Sequence, residues 1–176
     1  RFTLFEVAKT HAKDHQQIEG LPEEHEILGI VHTDKEFGGD HGQAFYHLKM
    51  QVQALLSELG INQPIETVKL DSKIRSVTLH KTSACLEPKR SVVLRAEKTD
   101  LAVVGEPLQE VSTKLKLPDC TSLADIDLTA ILNLATQTSS YQEISRFPSI
   151  EADLTLSLDS KTSFAHISKQ LKTGID

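Results

Sequence analysis

Three polar residues near the N-terminus, His11, Asp14 and His15, have the spacing of a metal site. On a helix, His11 and His15 would share one face at i, i+4. With a carboxylate from another element they would make the ligand set of a small zinc- or manganese-dependent hydrolase. The surrounding residues 10–22 are polar and close with Gly20 and Pro22, so the segment reads as a loop and the three side chains as solvated. A second candidate is Gly38-Gly39-Asp40-His41-Gly42, which precedes a helical pattern. Amides at a helix N-terminus can hold an anion, but Asp40 and the lack of a Lys argue against a phosphate loop. His41 and His47 flank that helix start and are expected to face solvent or a subunit contact. Cys85 and Cys120 form no C-x-x-C pair and read as reduced thiols. No Ser-His-Asp or Cys-His arrangement follows from spacing.

Charge narrows the remaining chemistry. The 176-residue chain carries 19 Lys and Arg against 25 Asp and Glu, a net charge of −6. That balance is poor for a freestanding nucleic-acid binder. A local exception is the stretch from Lys81 to Arg95, which holds Lys81, Lys89, Arg90 and Arg95 against one acid, Glu87. A stand-alone RNA-binding module acting through Arg90, Arg95 and Arg146 is therefore an alternative to weigh. No apolar run reaches the ~18 residues of a membrane span and no signal peptide opens the chain, so a cytoplasmic protein without membrane contact is expected.

The elements that must position these residues are those of an α+β protein. Trp is absent and aromatics make up only 5% of the chain, so the core must be built from Leu, Ile, Val and Ala. Residues 1–9 read as a strand, and 24–32 as a second strand buried on both faces and paired with it as an antiparallel hairpin. Phe45, Leu48, Val52, Leu55, Leu56 and Leu59 recur at helical spacing, with Gly60 as the stop. Residues 65–70 and 74–80 are expected as short strands. A hairpin over 91–96 and 101–105 turns at Glu97 to Asp100. An amphipathic helix is expected over 107–116, a strand over 124–129 and a helical turn or two over 128–135. Thr136 to Ser140 reads as the start of a linker. Leu154, Leu156 and Leu158 then alternate as in a strand, and Phe164, Ile167 and Leu171 repeat as in a helix, with Ser160 or Thr162 as its cap.

In this order the residues resemble a known family. Leu4-Phe5-Glu6-Val7 resembles the L-F-E-[IV]-G strand of the catalytic-like module in the beta subunit of bacterial phenylalanyl-tRNA synthetase. Phe45-Tyr46-His47-Leu48-Lys49 and the helix ending Leu59-Gly60-Ile61 resemble that family's D-F-F-D-L-K-G-x-V-E-x-L-L. Pro88-Lys89-Arg90-Ser91 is similar to its H-P-G-R-S-A, and Val103-Val104-Gly105-Glu106 to its G-x-[LV]-G-E. Asp125-Ile126-Asp127-Leu128 resembles its E-L-D-L. Ser145-Arg146-Phe147-Pro148-Ser149-Ile150, followed by Asp153-Leu154, resembles the opening of its C-terminal ferredoxin-like anticodon-binding domain. Ala8, His47, Met50, Lys89, Pro107-Leu108 and Ala152 depart from the family pattern.

The resemblance implies a class II synthetase-like, mainly antiparallel sheet flanked by helices. It places a catalytic-like module at 1–135 with its N-terminal part missing, a linker at 136–145, and the first β–α unit of an anticodon-binding domain at 146–176. The chain begins with Arg1 inside a strand, so a piece of a longer polypeptide is expected. The resemblance also implies a catalytic alpha subunit as partner in an (αβ)₂ heterotetramer, tRNA(Phe) bound through the complete C-terminal domain, and ATP and Mg²⁺ used by the holoenzyme. Active class II sites need an Arg on a strand-loop-strand for the α-phosphate and a G-x-G-x-G-x-x-R segment for the γ-phosphate. No Arg occurs between Lys9 and Ile74, and no G-x-G-x-G occurs anywhere. No catalytic, cofactor-binding or metal residue is therefore assigned, and the chain alone is expected to be inactive.

Overall fold

The structure, a computed structural model, describes residues 2–16, 21–34, 42–70, 73–135, 146–148, 150–151, 153–159, 162 and 164–173. It divides into two units, Arg1–Ser139 and Ser140–Asp176.

The first unit is built on one six-stranded sheet. Its strands are β1 (Phe2–Gln16), β2 (Pro22–Thr33), β3 (Ile65–Lys69), β4 (Leu86–Ala96), β5 (Thr99–Pro107) and β6 (Thr121–Asp127). The order across the sheet is β1-β2-β6-β5-β4-β3, and every neighbouring pair is antiparallel. The helices are α1 (Gln43–Glu58), α2 (Val77–Ser83), α3 (Gln109–Leu115) and α4 (Leu128–Leu134). The β1–β2 hairpin, the long helix, the β4–β5 hairpin, α3, and the β6–α4 succession match the sequence expectation.

Side-chain alternation gives the sheet two different faces. Leu94, Ala96, Ala102, Val104, Ala124 and Ile126 point to one face, where they pack on Leu48, Val52 and Leu56 of α1 and Ile131 of α4. Val93 and Val103 point to the other, where they pack on Leu79 of α2 with Leu70 and Leu86. The periodic stripe of α1 is thus its buried face, although Leu59 at its end is exposed. Gly60 closes this helix at φ 86°, and its N–H donates to Ser57 O at 3.0 Å. Without a Cβ it takes that left-handed conformation freely.

Three expectations fail. Residues 10–16 continue β1 instead of forming a loop, because they pair with β2 as far as Gln16 opposite Pro22. Residues 77–83 are helix α2, not strand. Ser76 caps it, its hydroxyl accepting from Leu79 N, and Leu79 is fully buried; a side-chain cap and one anchored Leu outweigh the β-branched composition. In the second unit, residues 153–159 form no strand, and Leu154, Leu156 and Leu158 are exposed. Among the described residues no second strand is available there to complete a ladder, and an isolated strand is not stable. Helix α5 (Phe164–Thr173) does form. The expected linker, 136–145, and the cap candidate Ser160 lie outside the described residues.

Candidate functional site

The metal reading does not survive the fold. His11, Asp14 and His15 lie on strand β1, where residues four apart are about 13 Å apart along the chain, not one helical turn. His11 is exposed and sits 3.8 Å from Glu24 across the hairpin. The side chains of Asp14 and His15 are outside the described set, and no group of three or more His, Cys, Asp or Glu is placed for a metal among the described residues. Of the Gly-rich candidate, Gly38 to His41 are likewise outside, and Gly42 opens α1 at φ 106°. His47 is half-buried: its ring stacks on that of His32, 4.8 Å between centroids. His32 is itself fully buried and shares a 2.8 Å hydrogen bond with Thr3 Oγ1.

The basic stretch does not form one patch. Arg95 is buried, and its Nε donates to Asp100 Oδ1 at 2.5 Å while another guanidinium nitrogen donates to Lys73 O at 3.1 Å. Arg90 is exposed but donates to Glu106 at 2.8 Å, and that partner raises its pKa. Lys81 is carried on α2 and points to a different cavity. Arg146 is exposed in the second unit. Of the three arginines of the RNA reading, burial takes Arg95 off the surface, Arg90 is exposed but ion-paired, and Arg146 lies in the other unit.

The polar cluster that does form lies on the sheet face beneath α2, and three aspartates build it. Asp100, at the start of β5, is buried and accepts from Arg95, from Arg75 N at 2.5 Å and from Ser76 N at 3.4 Å. Asp127, at the end of β6, caps α4 by accepting from Ala130 N at 2.9 Å, and its other oxygen accepts from Ser76 Oγ at 3.2 Å and Thr78 Oγ1 at 3.3 Å. Asp125 accepts from Thr82 Oγ1. Burial pushes the Asp125 carboxyl above the usual carboxylate range, and the Thr82 hydroxyl offsets this only in part. Apart from the Ala130 amide of α4, every hydroxyl and amide in these bonds belongs to α2 or the residues leading into it.

The space left between α2 and the sheet is a cavity of about 120 Å³ bounded by Thr10, His11, Ile27, Thr78, Lys81 and Asp125, among others. Nucleotide-sized ligands need roughly 300–1,000 Å³, so ATP does not fit there. The described face offers anionic carboxylates, and its buried Arg95 is already paired. A larger open groove of about 1000 Å³ runs between β4, β5 and α3, with Glu87, Lys89, Arg90, Glu106, Lys116 and Cys120 on its walls. Its charges are mixed in sign.

Sequence reasoning missed all three aspartates. The signal available was Ser76 followed by two apolar residues at 77 and 79, the N-cap pattern that would have put Thr78 and Thr82 on one helix face.

An antiparallel sheet with helices on both faces, in this strand order, places the unit among class II aminoacyl-tRNA synthetase-like folds. Pyrrolysyl-tRNA synthetase from Desulfitobacterium hafniense superposes with a TM-score of 0.50 at 18% identity, over 74% of this chain and 40% of that one. The chain belongs to the family described as phenylalanyl tRNA synthetase beta chain CLM domain, the catalytic-like domain, whose model matches residues 1–128. The phenylalanine–tRNA ligase beta subunit of Bacillus licheniformis is 24% identical over 174 residues, 97% of this chain and 20% of the relative. That of Syntrophus aciditrophicus is 26% identical over 161 residues, 89% of this chain and 18% of the relative. The chain thus spans about a fifth of the length of the curated relatives it matches. No described helix is long and apolar enough to cross a membrane.

Proposed function

We propose that this chain is a non-catalytic, structural part of a phenylalanyl-tRNA synthetase beta subunit. In that role it supports a catalytic alpha subunit, within an (αβ)₂ heterotetramer, in the ATP-dependent attachment of phenylalanine to tRNA(Phe). ATP and Mg²⁺ would be handled by the alpha subunit, and tRNA(Phe) by the complete C-terminal domain, in the cytoplasm. The observation that carries this reading is the sheet face under α2. There Asp100, Asp125 and Asp127 are engaged by α2 and its approach, where phosphate chemistry would need free cations over an open floor.

The test is co-expression of the full-length beta subunit with the alpha subunit of the same organism, followed by purification and phenylalanine-dependent ATP–pyrophosphate exchange. The expected result is co-purification, exchange by the complex and none by the beta chain alone. Exchange by the beta chain alone would overturn the non-catalytic reading, and a beta subunit that never associates with alpha would overturn the structural one.

A further inference from the structure

Helices α2 and α4 lie on opposite faces of the sheet. α2 packs through Leu79 on Val93 and Val103, and α4 packs through Ile131 among the residues that meet α1. Their N-caps nevertheless form one hydrogen-bond network. Ser76 caps α2, its hydroxyl accepting from Leu79 N at 3.4 Å. Asp127 caps α4, its Oδ1 accepting from Ala130 N at 2.9 Å. The first cap then bonds the second: Ser76 Oγ donates to Asp127 Oδ2 at 3.2 Å. Thr78 Oγ1 donates to the same oxygen at 3.3 Å and stands 2.9 Å from Ser76 Oγ.

Dividing one carboxylate between two helices couples them. Asp127 is only 4% exposed, and among the described residues no cation pairs with it. A buried charge without a counterion depends on each hydrogen bond it receives. If α2 lifts, both hydroxyls leave and the carboxylate must turn toward water, away from Ala130 N. The first turn of α4 cannot follow it, because the Thr129 hydroxyl is pinned to β2, accepting from Glu26 N at 3.0 Å. If α4 frays instead, Ala130 N leaves, and the carboxylate is drawn off Ser76 and Thr78 in the same way. α4 is the last element of the first unit, and the chain runs on from it to the second. Fraying at that end therefore reaches the helix that closes the aspartate face.

We propose that Asp127 is a latch between the two faces of the sheet: α2 and α4 open and close as one unit, so an event that loosens the start of α4 also lifts α2 from the face it covers. The latch does not depend on the proposed function. Hydrogen exchange on the full-length polypeptide tests it. In the wild type, exchange measured in low, rising denaturant should place the α2 and α4 amides on one opening isotherm. Ser76→Ala/Thr78→Val strips Asp127 Oδ2 of its donors and changes nothing in α4; exchange in α4 should still rise about tenfold. In the other direction, Leu132→Gly, at an exposed position of α4, should speed exchange about threefold in α4 and in α2 with it. Asp127→Ser keeps a cap for α4 but is one atom too short to reach the α2 hydroxyls. In that background Leu132→Gly should leave α2 unchanged. Separate isotherms in the wild type, or unchanged α4 exchange in the Ser76/Thr78 variant, overturns the latch. An effect of Leu132→Gly on α2 that survives Asp127→Ser puts the coupling elsewhere and overturns the role of Asp127. The wild-type isotherm needs no variant, so it decides even where a variant fails to fold.

Discussion

Replacing Asp100 with Ala removes one of the three carboxylates that tie α2 and its approach to the sheet. Asp100 has no exposed side-chain surface and Arg95 retains 10%, so water cannot replace what is lost. The guanidinium would keep one carbonyl partner, Lys73 O, and the amides of Arg75 and Ser76 would lose their acceptor. Breaking one side of a buried ion pair costs about 3–5 kcal/mol. Orphaned amides add to that only where they stay buried. A domain has roughly 5–15 kcal/mol in all, so Asp100→Ala should consume about a fifth or more of the stability. At about 2–4 °C per kcal/mol for a chain of this size, the melting temperature should fall roughly 6–20 °C. Urea denaturation gives the free energy, and hydrogen exchange gives its location: the amides of Val77–Ser83 should lose protection before those of α1. Arg95→Met/Asp100→Leu, which removes both charges, should recover at least about 1 kcal/mol relative to Asp100→Ala. An Asp100→Ala protein within about 1 kcal/mol of wild type, with α2 protected as before, would refute the reasoning.

Three other outcomes follow from the same packing. Gly105→Ala places a Cβ 1.9 Å from Ser91 Oγ and 2.5 Å from Ser91 Cβ, so rotating the hydroxyl away does not help; a loss of about 1–3 kcal/mol is expected in urea melts. Ser91→Gly in the same chain should recover part of it, and strict additivity of the two changes would contradict the contact. Gly60→Ala forces a side chain into the left-handed region at φ 86° and should cost about 1 kcal/mol, read as a fall in melting temperature without a change of m-value. Asp125 has its pKa raised by burial, so the native state holds this proton more tightly than the unfolded one. Its contribution is most favourable at low pH and is lost as pH rises through the folded pKa. Asp125→Asn should therefore gain stability over wild type at neutral pH, with the gap closing below the ordinary aspartate range, and a gap that widens on acidification would contradict the sign.

How much of this was legible in the sequence depended on how far apart the interacting residues are. α1 was legible because apolar residues recur from Phe45 through Leu48, Val52 and Leu56 to Leu59 over about four turns, and the β4–β5 hairpin because Val92 to Leu94 and Leu101 to Val104 sit either side of a short polar turn. α2 was not, because seven residues hold too few repeats for a period to emerge. Its helix is decided by Ser76 and by what Leu79 meets across the sheet. Residues 10–16 looked like a loop because an edge hairpin need not bury anything, and polar residues suit it as well as they suit a loop. Leu154, Leu156 and Leu158 misled for the opposite reason: alternation specifies a strand only when a neighbour accepts its hydrogen bonds. The aspartate cluster was hidden by separation. Ser76 and Asp127 are 51 positions apart, and nothing local to either predicts the other.

That separation bears on function as well as on prediction. A group that takes part in catalysis must exchange partners during the reaction, giving up one hydrogen bond to make another on the substrate. Asp127 cannot do so cheaply, because one oxygen caps α4 and the other holds Ser76 and Thr78. Withdrawing it would loosen two helices at once. Asp100 is bound in the same way to a buried guanidinium and to the chain entering α2. The polar groups of this face are engaged in keeping the face closed, so what the module can offer other molecules lies where its bonds are incomplete. Among the described elements those places are the two edges of the sheet, β1 and β3.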